Sequence, residues 1–211
     1  MKRALLLGDS IRMGYCNYVR MAFENVAEIV YPEDCCRFSA YTLRYLGAWK
    51  SETKCDQILD VVHWNAGLWD VLRLLDGNVQ TSPDEYRKNI DRICKTLRMQ
   101  YPNAKLIFAT STAVQEHLYG TLKRYNEDIR QYNQIAVDVV LRNGGEVNDL
   151  YTITDGLPGE YYSDATHFNT MNGTQLIADR VISVLQKALG ISAKALDYQE
   201  IFRSQKKIIG I

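Results

Sequence analysis

The 211-residue chain lacks an excess of charge of either sign. Lys and Arg together number 25, and so do Asp and Glu, which leaves a formal net charge of zero. A neutral chain has no general electrostatic attraction for nucleic acid or for an anionic membrane surface. We therefore expect that neither nucleic acid nor a membrane is a partner of this protein.

Long apolar runs are missing as well. Residues 4–7 form an apolar stretch after Lys2 and Arg3, but Gly8 and Asp9 end it. A signal peptide needs an apolar region of about 7–15 residues, and a transmembrane helix needs about 20. The sequence therefore predicts a cytoplasmic protein.

Metal-binding and disulfide patterns are also absent from the sequence. The cysteines, at positions 16, 35, 36, 55 and 94, are odd in number and form no C-x-x-C pair, and there are only three histidines. We expect reduced thiols, no metal site and no cofactor.

Short apolar runs alternate with longer amphipathic stretches along the chain. This alternation predicts a three-layer α/β/α domain over residues 1–211, with a five-stranded, mainly parallel sheet. Residues 192–211 form a C-terminal extension whose packing the pattern leaves open. The strands are expected at 4–7, 28–32, 57–65, 104–112 and 144–154, and helices at 11–25, 39–49, 82–102, 119–141 and 172–190.

Four polar residues fall at the predicted ends of strands or just before the last helix. Taken singly, Ser10 is typical of a helix cap, Asn65 of a turn, and the Asp164–His167 pair of a helix start. Together they favour catalysis, because a serine nucleophile needs a histidine base and an acid that fixes the imidazole. A spacing of three places Asp164 and His167 on one face of a helical turn. The Ser10 N–H and the Asn65 amide are candidate oxyanion donors.

These blocks resemble the SGNH, or GDSL-type, hydrolases over roughly residues 4–190. The shared features are Gly-Asp-Ser after the first strand, Asn after the third, and D-x-x-H near the C-terminus. The resemblance implies a flavodoxin-like fold and ester hydrolysis. It also implies that Ser10 is the nucleophile, His167 the base, Asp164 its partner and Asn65 an oxyanion donor.

Two blocks depart from the family pattern. The family has a glycine after the second strand whose N–H is the third oxyanion donor; Cys36 stands near that place here, and Gly47 is the other candidate. The third block usually reads Gly-x-Asn-Asp, whereas this chain has His63 and Ala66 on either side of the retained asparagine.

Aromatic residues near Asn65 suggest a carbohydrate ester as the substrate. Trp64 and Trp69 are candidates for stacking on a sugar ring, although both fit core packing equally well. His63 alternates with Asn65, so it is either a substrate contact or a buried structural histidine. We predict a serine esterase that removes short acyl groups, acetyl above all. The alternatives are a lysophospholipase or thioesterase, and a non-catalytic sugar-binding module.

Overall fold

Five parallel strands form the centre of the protein, which we describe from a computed structural model covering residues 1–55 and 58–209. The strands are β1 (Lys2–Leu7), β2 (Ala27–Val30), β3 (Val61–Trp64), β4 (Lys105–Ala109) and β5 (Glu146–Asn148). Their order in the sheet is β2-β1-β3-β4-β5, and every neighbouring pair is parallel. The expected start of the third strand at Gln57 lies outside the described residues.

Helices cover both faces of this sheet, which confirms the predicted three-layer α/β/α architecture. The helices are α1 (Ser10–Ala22), α2 (Ser39–Glu52), α3 (Pro83–Gln100), α4 (Asn126–Arg142), α5 (Tyr151–Thr154), α6 (Met171–Leu189) and α7 (Tyr198–Ile209). In one layer α6 contacts both α1 and α7, and in the other layer α3 contacts both α2 and α4. None of the helices within the described residues is long and apolar enough to cross a membrane.

Local contacts define the ends of two helices. Ser82 caps α3 in a capping box, in which its side chain accepts the Glu85 N–H and the Glu85 carboxylate accepts the Ser82 N–H. Gly190 ends α6 in the left-handed conformation, with φ of 68°. These local contacts fix the helix boundaries independently of the core.

The helix expected from residue 119 is wrong in its first part, because α4 begins only at Asn126. Lys123 instead forms a β-bridge with Arg73, and the Asn126 side chain hydrogen-bonds both the N–H and the C=O of Val114. These contacts hold residues 119–125 as a loop at the sheet edge where the strands end. The expected strand at 144–154 is also too long, since β5 ends at Asn148 and α5 follows.

The C-terminal extension packs against helices α1 and α6. The Lys194 N–H donates to the Ala22 carbonyl at 2.8 Å, and Tyr198 stacks on Tyr18 with ring centroids 5.8 Å apart. The Tyr198 hydroxyl donates to Asp179. Residues 210 and 211 lie outside the described part of the chain.

His63 is the most unusual residue of the central strand, because it is a fully buried imidazole. Its Nε2 accepts the Asn148 side-chain amide at 3.1 Å, and its Nδ1 lies 3.4 Å from the Tyr15 hydroxyl. Burial lowers the pKa of His63 to about 4. The ring is therefore neutral at physiological pH and belongs to a hydrogen-bonded network inside the core.

We expect the free energy of unfolding of His63→Gln to fall less than that of the wild-type protein as the pH is lowered. As the pH falls, the unfolded chain protonates His63 near 6.5 and the folded protein only near 4. The wild-type protein therefore loses about 3 kcal/mol of stability between these values, which glutamine cannot lose. Urea unfolding of both proteins from about pH 7 to pH 4 measures this, with the exposed His117 replaced by Gln as control. Parallel curves for wild type and His63→Gln would contradict the assignment.

Candidate active site

Ser10 is the first residue of α1, and its hydroxyl does not cap the helix. Asp9 is the cap, because its Oδ1 accepts the Ile11 N–H at 3.0 Å. The Ser10 side chain therefore remains available at the end of β1. The Ser10 N–H has no acceptor among the described residues.

A continuous line of hydrogen bonds joins Ser10, His167 and Asp164. The Ser10 Oγ lies 2.7 Å from His167 Nε2, and His167 Nδ1 lies 2.8 Å from Asp164 Oδ2. These partners fit a neutral imidazole that carries its proton on Nδ1 and accepts the serine proton on Nε2. The arrangement is that of a nucleophile, a general base and an orienting acid.

The loop that carries Asp164 and His167 is not the helical turn expected from their spacing. Asp164 Oδ1 accepts the N–H groups of Thr166 at 2.7 Å and His167 at 2.9 Å. The N–H and the hydroxyl of Ser163 both donate to the His167 carbonyl. The carboxylate thus organises its own loop and orients the imidazole at the same time.

The environments of two aspartates shift their pKa values in opposite directions. Partial burial acts to raise the pKa of Asp164, but the N–H groups of Thr166 and His167, together with the His167 ring, hold it below its ordinary value. Asp164 is therefore ionised at neutral pH. Burial raises the pKa of Asp9, and the opposing effects of Asn65, Ile11, Arg124 and His167 are smaller.

Asn65 reaches the Ser10 turn because Gly8 has no side chain. A Cβ on Gly8 would lie only 2.0 Å from Asn65 Oδ1. The Asn65 N–H donates to the Leu7 carbonyl at 3.1 Å, which continues the pairing of β3 with β1 beyond their ends. The asparagine amide is thereby held beside the Gly8–Ser10 turn.

The expected third oxyanion donor, Cys36, is engaged elsewhere. Its N–H donates to the Gly8 carbonyl at 2.9 Å, and its Sγ accepts the Gly8 N–H at 3.2 Å. Burial raises the pKa of the Cys36 thiol to about 12, so the sulfur is neutral. The assignment of the Cys36 N–H is therefore wrong. Gly47 cannot replace it, because it lies in the interior of α2.

Two of the predicted substrate contacts are also wrong. Trp64 is completely buried against Phe108, with ring centroids 4.9 Å apart, and His63 is equally buried. Neither can face a ligand. Both faces of this parallel sheet are covered, so alternation along β3 does not create an exposed side. Trp69 is half-buried and stays a candidate.

Three residues that the sequence analysis missed bridge the loops around Ser10. Arg124 Nε donates to the Leu68 carbonyl, in the loop that follows Asn65. The Tyr119 hydroxyl pairs with Thr166 Oγ1 at 2.6 Å, beside His167. Helical periodicity hid the loop that carries Arg124 and Tyr119, so no sequence signal pointed to them.

The described residues contain no cluster of three or more His, Cys, Asp or Glu side chains that could hold a metal ion.

No protein-family model matches the chain, and no curated protein matches its sequence significantly. Solved structures do match. A lipase/acylhydrolase from Enterococcus faecalis is 20% identical, with 93% of this chain and 100% of that chain covered and a TM-score of 0.70. The acetyl xylan esterase AlAXEase is 18% identical, with 87% and 99% covered and a TM-score of 0.67. A member of the lipolytic protein G-D-S-L family from Veillonella parvula is 16% identical, with 89% and 100% covered and a TM-score of 0.64.

The chain has the fold of the SGNH, or GDSL-type, hydrolases. This confirms the fold that the sequence resemblance implied. At these identities the likeness concerns the architecture, so the roles of individual residues rest on the geometry of this protein.

We expect Gly8→Ala to slow the reaction of Ser10 with a fluorophosphonate probe. The added Cβ would displace the Asn65 side chain, and loss of one oxyanion donor typically costs about 10²–10³ in rate. Labelling followed by mass spectrometry measures the rate. Gly47→Ala is the matched control, because a Cβ there meets nothing within 4 Å. Equal labelling of Gly8→Ala and wild type would contradict the role given to Asn65.

Proposed function

We propose that the protein is a serine ester hydrolase that removes short acyl groups, acetyl above all, from a carbohydrate or another small ester. The observation that carries this proposal is the hydrogen-bonded line from Ser10 through His167 to Asp164, with distances of 2.7 and 2.8 Å. A non-catalytic sugar-binding module would have no need of this alignment.

In the acylation step His167 Nε2 takes the Ser10 proton while Ser10 Oγ attacks the ester carbonyl. Asp164 stabilises the imidazolium that forms. The resulting tetrahedral oxyanion accepts hydrogen bonds from the Ser10 N–H and the Asn65 amide. The bond to the alcohol then breaks, and the imidazolium protonates the departing alcohol oxygen.

In the deacylation step water attacks the acyl group on Ser10, and His167 again acts as the general base. Collapse of the second tetrahedral intermediate breaks the bond to Ser10 Oγ and returns the proton to it. The products are a carboxylic acid and the free serine. Both steps use only water and the side chains and backbone groups at the ends of the strands.

For the third oxyanion donor we propose the N–H of Arg37 in place of Cys36. Arg37 has φ of 49°, in the left-handed region that glycine favours, and it directly follows Cys36, near the place where the family has its glycine. Its N–H interacts with the Cys35 side chain, whose pKa burial nevertheless raises. A substrate oxyanion would replace this thiol as the acceptor.

The cavity that touches both Ser10 and His167 measures about 10 Å³, which is scarcely room for one water molecule. It holds neither an acetyl group nor a longer acyl chain, so the proposed preference for a short acyl group does not depend on it. Half-buried Trp69 is the remaining aromatic candidate for contact with a sugar ring.

We expect Ser10→Ala to abolish the hydrolysis of a chromogenic acetate such as 4-nitrophenyl acetate. Loss of the nucleophile should lower kcat by about four orders of magnitude or more, because the triad acts as a unit. Steady-state release of nitrophenol measures the effect. Ser82→Ala is the control, since it removes a serine that caps α3 and should leave kcat unchanged. Undiminished turnover by Ser10→Ala would overturn the proposal.

A further inference from the structure

Arg124 connects the loop that follows Asn65 with the loop that carries His167. On the first side its Nε donates to the Leu68 carbonyl. On the second side its Nη1 lies 3.5 Å from the Tyr119 hydroxyl, which in turn pairs with Thr166. The guanidinium is thus bonded directly to the loop that follows Asn65, and it is linked to the loop that carries His167 only through Tyr119.

Arg124 is not held in an ion pair by any acidic side chain that the structure describes. The nearby Arg73 illustrates the usual arrangement, since it forms a two-pronged ion pair with Asp128 at 2.9 Å. Arg124 forms no ion pair with any of the described residues, and its Nη2 makes no hydrogen bond to them. Its guanidinium is half-buried, so solvent screens the charge only in part.

The charge of Arg124 acts on the residue next to the nucleophile. Arg124 lowers the pKa of the buried Asp9, the residue that immediately precedes Ser10, against the larger raising effect of burial. A guanidinium that is fixed through Nε and Nη1 presents its remaining N–H groups in a rigid plane. Such a fork matches the oxygens of a carboxylate or phosphate.

We propose that Arg124 is the binding residue for an anionic group on the substrate, so that the preferred ester carries a carboxylate or phosphate besides the acyl group that Ser10 removes. This inference rests on the proposed esterase function and narrows its substrate class. Arg124 touches substrate in this account and takes no part in the proton transfers.

The test compares 4-nitrophenyl acetate with an analogue that carries a carboxylate on the ring. We expect wild-type kcat/KM to favour the carboxylated ester by about tenfold or more, after correction for the reactivity of each ester in buffer. Arg124→Gln should remove this preference, because kcat/KM for the carboxylated ester should fall at least about tenfold further than kcat/KM for the neutral ester. High salt should weaken the preference of the wild-type enzyme.

Two further variants distinguish binding of the anionic group by Arg124 from a role of Arg124 in holding the loops around Ser10. Arg130→Gln removes an exposed arginine of α4 that donates to Tyr151, and it should keep the preference. Arg124→Lys should keep part of it, because the charge remains while the fork is lost. An equal fall of kcat/KM for both esters in Arg124→Gln would assign a structural role to Arg124 and overturn the proposal.

Binding of stable amide analogues distinguishes this inference from the esterase proposal. Calorimetry with neutral, carboxylated and phosphorylated acetamides should show tighter binding of one or both anionic compounds to wild type than to Arg124→Gln, and it identifies which anion is preferred. Binding that depends on Arg124 without turnover of any ester would support the anion site and overturn the esterase function. Turnover of both esters at equal rates, with no effect of Arg124, would overturn the anion site alone.

Discussion

The backbone of Gly8 is the point at which three strand ends meet, and the geometry of the site depends on it. Its N–H and carbonyl form two hydrogen bonds with Cys36, which tie the loop after β2 to the end of β1. Its bare Cα leaves room for Asn65, which comes from the end of β3. Ser10 follows two residues later. A side chain at Gly8 would collide with the Asn65 side chain and with the Cβ of Arg12 in α1.

Helix α1 depends on the same turn. Because Asp9 caps the helix, the Ser10 hydroxyl is free to face His167. The Asp9 carboxyl is buried, which raises its pKa, and the Ile11 N–H and the Asn65 amide partly offset that effect. A single turn therefore begins the helix, presents the hydroxyl and holds the asparagine. On the opposite side of the site, Asp164 plays a comparable double role for the His167 loop.

The parts of the site that the sequence could predict are those with local signatures. Ser10 and the Asp164–His167 pair follow from block order and from the rule that parallel strands end at one edge. The prediction that the Cys36 N–H is an oxyanion donor was wrong, because the direction of an N–H depends on its tertiary acceptor, which here is the Gly8 carbonyl. Arg124 was missed because residues 119–141 have helical periodicity throughout, whereas α4 begins only at Asn126.

The central claim is that Ser10 carries the acyl group during turnover. The most direct measurement is mass spectrometry of the protein quenched rapidly while it hydrolyses an excess of an acetate ester. We predict the added mass of one acetyl group on the peptide that contains Ser10, present during turnover and gone once the ester is consumed. Turnover with the acetyl group on another residue, or equally rapid turnover by Ser10→Ala, would contradict the account.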